Sequence, residues 1–277
     1  MSQPNRTSPA LTVVAEQGVA RARLAQADCP LCGGREGEVE IVDGYEVWQR
    51  CACVAARGRA QLFNAAAIGS RFAGATFESY RPKTAAQAEA VQQVQDFALM
   101  YPSVGRGLLM WGPVGTGKTH LMVALFRKLT LDKGVPCRFI DFGNLLNDIR
   151  RSFKSERGDV DIVVPLVEVE ILLIDELGKG RATEWELTVL DDLISRRYNA
   201  GRITLCTTNF EPRDAGASAP AVNPAYAQRQ GSGGRPPSLV DRMDERIYSR
   251  LCEMCEFVAV PGDDHRRRKQ ARFGGGR

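Results

Sequence analysis

From residue 107 onward, short apolar runs alternate with amphipathic stretches. The runs 107–111, 137–141, 170–174, 202–207 and 256–260 are of strand length and carry few polar residues, as strands covered on both faces do. The stretches between them have helical periodicity. This alternation predicts an α/β domain whose parallel sheet is flanked by helices. Upstream, Thr84 to Met100 places Ala88, Val91, Val94 and Phe97 or Ala98 on one helical face, and Pro102 ends that helix. Phe72 to Tyr80 reads as a loop with aromatic anchors, and Ala55 to Ala67 as an Ala/Arg-rich helix. Glu38 to Trp48 alternates like a hairpin turning at Asp43-Gly44. Ala10 to Ala27, a mixture of Ala, Leu, Val and Arg, predicts a short helix. The stretch 211–237 is rich in Pro, Gly, Ser and Ala and predicts a flexible insertion, and 266–277 predicts a basic, disordered tail. The composition shifts divide the chain into a small region, 1–70, and a larger domain, 71–265.

Composition adds limits. With 277 residues and 44% apolar content the chain can bury a substantial core. No run is long enough to span a bilayer, and Met1 to Ala10 lack the apolar centre of a secretion signal, so the expectation is a cytoplasmic protein with no membrane partner. The formal net charge of +4 permits a nucleic-acid partner without demanding one. In a cytosolic chain, the eight cysteines point to metal binding and buried thiols rather than disulfides.

Candidate chemistry follows from spacing. Gly112, Pro113, Val114, Gly115, Thr116, Gly117, Lys118 and Thr119 fit the phosphate-loop pattern G-x-x-x-x-G-K-[ST] between an apolar strand and a helix. Backbone N–H groups of such a loop and the helix N-terminus attract an anion. Lys118 would reach the β- and γ-phosphates of ATP, and Thr119 would ligate Mg²⁺. The run 170–174 ends in Asp175 and Glu176. Asp175 is placed to hold Mg²⁺, and Glu176 to polarise the water that attacks the γ-phosphate. Asn209, at the tip of the next apolar strand, can bond that water or the phosphate. Arg246 and Arg250 lie one turn apart on a predicted helix, where an arginine can enter a neighbouring subunit's site. Cys29 and Cys32 with Cys51 and Cys53 offer four thiolates to a tetrahedral Zn²⁺. Gly33-Gly34 allows the tight knuckle this needs, and the metal would supply folding energy to a segment too small for a core. Cys137 and Cys206 read as buried thiols, and Cys252 and Cys255 as helical residues.

In this order the motifs resemble the AAA+ ATPases, and within them the DnaC/IstB-like group of helicase loaders. The resemblance covers roughly residues 72–270 and rests on the loop at 112–119, Ile174-Asp175-Glu176, Thr207-Thr208-Asn209 and Glu245 to Leu251, with Phe77-Glu78-Ser79-Tyr80 as the lead-in. It implies a P-loop AAA+ core without a C-terminal lid, self-association through that core, and roles for Asn209 as first sensor and Arg250 as arginine finger. It also implies an N-terminal zinc module that meets a DnaB-type hexameric replicative helicase. A helix after the second strand touches single-stranded DNA in this group. Its counterpart is Gly143 to Lys154, where Arg150, Arg151 and Lys154 offer cations and Phe153 a stacking face, with Trp185 a further stacking candidate. The expected activity is Mg²⁺-dependent ATP hydrolysis in helicase loading during DNA replication initiation. A transposition helper of the IstB type shares the core, and an ATP-gated interaction module without turnover is a rival of another class.

Overall fold

The structure is a computed structural model in which residues 9–152, 160–212 and 237–265 are described. Phe153, Lys154, almost all of the expected insertion at 211–237 and the tail 266–277 lie outside the described residues. The chain divides into two units, 1–74 with 126–137, and 75–125 with 138–277.

The first unit holds two hairpins and a helix. Strands β1 (Leu11–Glu16) and β2 (Val19–Leu24) pair antiparallel, so the short helix expected over Ala10 to Ala27 is a hairpin instead. Two features outweigh the helical propensity of Ala, Leu and Arg. Gln17 and Gly18 both take positive φ in a two-residue turn, and β2 alternates buried Ala20 and Ala22 with exposed Arg21 and Arg23. Strands β3 (Gly37–Val42) and β4 (Tyr45–Arg50) form the second hairpin at the expected turn. Helix α1 (Ala52–Ala65) follows directly. Its Asn64 pins β2, accepting from the Ala22 N–H at 2.7 Å and donating to the Ala22 carbonyl at 3.0 Å. Residues 126–137 join this unit, with Arg59 donating to the Asp132 carbonyl and Arg127 to the Ala73 carbonyl.

The second unit is built on a five-stranded sheet in the order β6-β7-β8-β5-β9. Its strands are β5 (Gly107–Trp111), β6 (Cys137–Asp141), β7 (Ile171–Asp175), β8 (Ile203–Thr208) and β9 (Cys255–Ala259), within a residue or so of the apolar runs. β5 pairs in parallel with β8 and β9, and β7 with β8. Every residue of β5 and β7 is buried, as the unbroken apolar runs require. The flanking helices are α2 (Ala85–Met100), α3 (Lys118–Arg127), α4 (Phe142–Ser152), α5 (Val160–Glu168), α6 (Glu184–Asn199) and α7 (Glu245–Met254). Thr84, Thr183 and Asp244 cap the N-termini of α2, α6 and α7, each satisfying a backbone N–H that the helix cannot. α4 is sharply amphipathic: Phe142, Leu145, Leu146 and Ile149 enter the core while Arg150 and Arg151 face outward. Each fully buried Leu or Ile in this core contributes about 1.5–3 kcal/mol, which makes the sheet a rigid base for the loops at its ends. Among the described residues no helix is long and apolar enough to cross a membrane.

Candidate nucleotide site and cysteine centre

β5, β7 and β8 deliver their C-terminal ends side by side. The loop after β5 curls back on itself. Lys118 Nζ donates to the carbonyls of Gly112 at 2.8 Å and Pro113 at 2.7 Å, and Thr116 Oγ1 to that of Pro113 at 3.0 Å. The lead-in loop buttresses it from outside. Tyr80 OH donates to the Thr116 carbonyl at 2.9 Å, and burial pushes the Tyr80 phenol up to about 12, so it remains a donor. A side chain at Gly117 would strike the Tyr80 ring, and the φ of +97° suits glycine alone. The loop is thus a concave backbone cradle, with an ammonium on its curve and the start of α3 beyond it. That arrangement fits a polyphosphate.

Beside the cradle, β7 ends in Asp175, which is 1% exposed. Its Oδ1 accepts from Thr119 Oγ1 at 2.8 Å and from Thr207 Oγ1 at 2.5 Å. Its Oδ2 is buried without a hydrogen-bond partner. Burial raises the carboxyl above the usual carboxylate range, opposed by the hydrogen bonds from Thr207 and Thr119. A buried carboxylate with one oxygen open and a threonine hydroxyl on the other fits a hard cation such as Mg²⁺. Thr119 and Asp175 are the residues that would hold it.

Glu176 leaves the strand in the left-handed region, at φ +58°. This, rather than strand alternation, separates the two acids: Asp175 is sealed in and Glu176 is partly exposed. β8 stitches the turn in place. The Glu176 N–H donates to Thr207 Oγ1 at 3.1 Å, the Leu177 N–H to the Thr207 carbonyl at 2.7 Å, and Thr208 Oγ1 to the Leu177 carbonyl at 2.8 Å. Asn209 follows at the tip of β8, half-buried. Thr207 therefore serves both acids, a role that an apolar strand with a polar tip does not disclose. The Glu176 carboxylate is ion-paired with Lys179.

The arginines of α7 lie on α6. Arg250 Nη1 donates to Asp191 Oδ1 and to Ser195 Oγ, each at 2.7 Å, and Arg246 Nη2 to Asp191 Oδ2 at 2.9 Å. One carboxylate holds both guanidinium groups, and nothing in the sequence around Asp191 announced this.

Arg150 and Trp185 are brought together. The Arg150 guanidinium lies 4.6 Å from the Trp185 ring centroid and donates to Glu186 Oε1 at 3.1 Å. Glu186 Oε2 accepts from the Arg181 and Thr183 N–H groups. Thr183 and Glu186 form a capping box, a T-x-x-E pattern that was legible in the sequence.

In the first unit, Cys29, Cys32, Cys51 and Cys53 place their sulfurs within 4.8 Å of one another. The Cys29–Cys51 and Cys32–Cys53 separations are 3.7 and 3.6 Å. A tetrahedron with Zn–S bonds of about 2.3 Å has S–S edges of about 3.8 Å, so the cluster fits zinc. The tight C-x-C spacing has a structural reason. Cys51 is the N-cap of α1 and Cys53 lies in its first turn, so the start of one helix carries both sulfurs into the cluster. The Leu31 N–H donates to Cys29 Sγ at 3.4 Å, and the knuckle closes with Gly33 N–H on the Cys29 carbonyl at 2.8 Å. Cys255 is buried with its Sγ on the Thr204 carbonyl, and among the described residues no other such cluster occurs.

Comparison with known proteins gives a consistent picture. Residues 46–214 match the model of a family described as IstB-like ATP binding protein. The chain is 26% identical to the phage-like element PBSX protein XkdC of Bacillus subtilis over 65% of this chain and 70% of that protein. It is 25% identical to the replicative helicase loader DnaC of Escherichia coli over 54% of this chain and 61% of the loader, so it spans less than two thirds of that relative. The crystal structure of the DnaC helicase loader superposes with a TM-score of 0.56 at 25% identity, over 69% of this chain and 98% of that one.

Proposed function

Because the chain belongs to the IstB-like ATP-binding protein family, we propose that it is an ATP-hydrolysing loader that delivers a replicative helicase onto single-stranded DNA. One observation carries the hydrolytic part. The Thr119–Asp175–Thr207 bridge ties the phosphate cradle, the carboxylate strand and the sensor strand into one hydrogen-bonded unit, with Glu176 on the same Thr207. Loop N–H groups and Lys118 bind the phosphates. Magnesium, held by Thr119 and Asp175, supplies neutralisation of phosphate charge when bound. Glu176 orients the attacking water and takes its proton, and Asn209 bonds the water or the γ-phosphate. Arg250 reaches the site of a neighbouring copy and stabilises the charge on the transferring phosphoryl group.

The likeness to DnaC supports the helicase as partner and the zinc-binding unit as the part that meets it. Arg150 with Trp185 supports a sequence-blind contact to single-stranded DNA, a cation beside a stacking face.

The deciding measurement is steady-state ATP turnover of the wild type and Glu176→Gln with DNA and helicase present, paired with co-purification of the helicase. The loader reading expects Glu176→Gln to lose about 10²–10⁴-fold in turnover while ATP binding persists. A wild type that binds ATP but never turns it over is an ATP-gated module instead. A transposition helper is the second reading, favoured by the description of the matching family. Co-purification with a transposase and not with the helicase would put it first.

A further inference from the structure

Glu176 sits where a residue with a side chain seldom rests. At φ +58° it occupies the left-handed region, which a glutamate keeps only when its surroundings over-determine the turn. β8 supplies half of that hold, through Thr207 on the Glu176 N–H and Thr208 on the Leu177 carbonyl. These bonds end at Leu177. The turn goes on through Gly178, at φ +81°, to Gly180, and the Lys179 N–H closes it on the Glu176 carbonyl at 3.0 Å.

The second half is held by a side chain from far along the sequence. Arg242 Nε donates to the Gly178 carbonyl at 3.2 Å, and Arg242 Nη2 donates to the Gly180 carbonyl. The same guanidinium lies 5.2 Å from the centroid of the Phe210 ring, and Phe210 directly follows Asn209. Gly178 is packed against both: a Cβ there would meet the Phe210 ring at 3.2 Å and the Arg242 Cβ at 3.4 Å. Arg242 is itself anchored. It ends the short 3-10 turn Val240–Arg242, where Leu239 and Val240 are buried and the Leu239 N–H donates to the Glu211 carbonyl at 2.6 Å. Two residues later, Asp244 caps α7. A guanidinium presents several donors in a rigid fork and can hold two carbonyls at once, whereas an ammonium acts as a point charge on a flexible stem.

We propose that Arg242 is a positioning residue for ATP hydrolysis. Its fork clamps the turn 176–180 against the Phe210 ring and so keeps the Glu176 carboxylate aimed at the attacking water. This rests on the hydrolytic reading above and deepens it. Arg242 acts on the reaction through Glu176 alone, so its effect has to vanish once position 176 carries no base. An arginine that merely stabilised the domain would keep its effect in that background.

The test is ATP turnover of the full chain as a function of ATP concentration, with DNA and helicase present and with radiolabelled ATP so that slow variants are read. The proteins are wild type, Arg242→Ala, Arg242→Lys, Glu176→Gln and the double variant Glu176→Gln with Arg242→Ala. Arg242→Ala is expected to lose about 10- to 100-fold in kcat, the effect of moving a catalytic group by about an ångström, with KM for ATP unchanged. Arg242→Lys, which returns a cation over Phe210 and a donor to the turn, recovers part of the loss. In the Glu176→Gln background, Arg242→Ala costs about twofold at most, because residues that act as a unit are not additive. Should Arg242→Ala fail to fold, Arg242→Lys carries the same comparison in both backgrounds. If Arg242→Ala keeps the wild-type kcat, or loses the same factor in the Glu176→Gln background, the positioning role is wrong and the hydrolytic reading stands. A raised KM at unchanged kcat overturns the role as well. Turnover of Glu176→Gln at the wild-type rate overturns both the role and the reading beneath it.

Discussion

The cysteine module and the nucleotide site solve opposite problems. Around Cys29, Cys32 and Cys53 the buried apolar cluster is small, with Leu24, Cys51 and Val54 packed against it. The β3–β4 hairpin beside it leaves Ile41 and Tyr45 76% exposed. Such a segment has little core of its own, so an ion held by the four cysteines would supply much of its folding energy. At the nucleotide site the order is reversed. β5 and β7 are buried along their whole length, and the cradle, Asp175 and Thr207 hang from strand ends that the core already holds. On the proposed reading, a metal would serve stability in the first region and chemistry in the second.

Zinc removal should break the comparison most sharply. Stripping the metal with a chelator, or Cys29→Ser with Cys32→Ser, forfeits a binding energy of the order of 10–16 kcal/mol that the first unit uses to fold. The expected result is about one zinc per wild-type chain by metal analysis and none in the double variant. Amide exchange would then become fast over residues 29–53 and stay slow in β5 and β7. A wild type that is well folded without metal contradicts the assignment. Arg250→Ala sharpens the other side. It should lower turnover about 10³-fold, as loss of an arginine finger does, with a smaller drop in the thermal midpoint of the sheet domain because the bonds from Arg250 to Asp191 and Ser195 are also lost. Mixing it with Glu176→Gln tests the role in trans, because each variant supplies what the other lacks. Partial recovery of turnover in the mixture is expected, and none would place Arg250 outside the neighbouring site. The smallest effect concerns DNA. Arg150→Ala with Trp185→Ala should weaken oligo-dT binding by about 1–3 kcal/mol and make its salt dependence shallower, read by fluorescence anisotropy across a salt series.

Much of this is legible in the amino-acid sequence. Parallel strands announce themselves as apolar runs because both faces are covered, and the cradle and the four cysteines announce themselves by spacing. Where reading failed, the cause was tertiary. Ala20 and Ala22 are small enough for a helix or a strand, and only the Gln17-Gly18 turn and the pairing with β1 decide between them. Residues 126–132 are the helical end of a segment that starts with α3 in the second unit, yet they belong to the first unit, which no local pattern reveals. The partners of the arginines were equally hidden. Asp191 lies more than fifty positions from Arg246 and Arg250 along the chain, and a charged residue on an amphipathic helix reads as solvated until a second helix is laid beside it.

Glu186 has a consequence for how this chain can change over generations. Its two oxygens are divided between the Arg150 side chain and the N–H groups of Arg181 and Thr183. A mutation at 186 therefore uncaps a helix and unseats a cation in the same event, while a mutation at 150 or 183 loses only one of these. Position 186 is the least free of the three to drift. Variation can enter at 150 or 183 first, but 186 can follow only once both of its obligations have been taken up elsewhere.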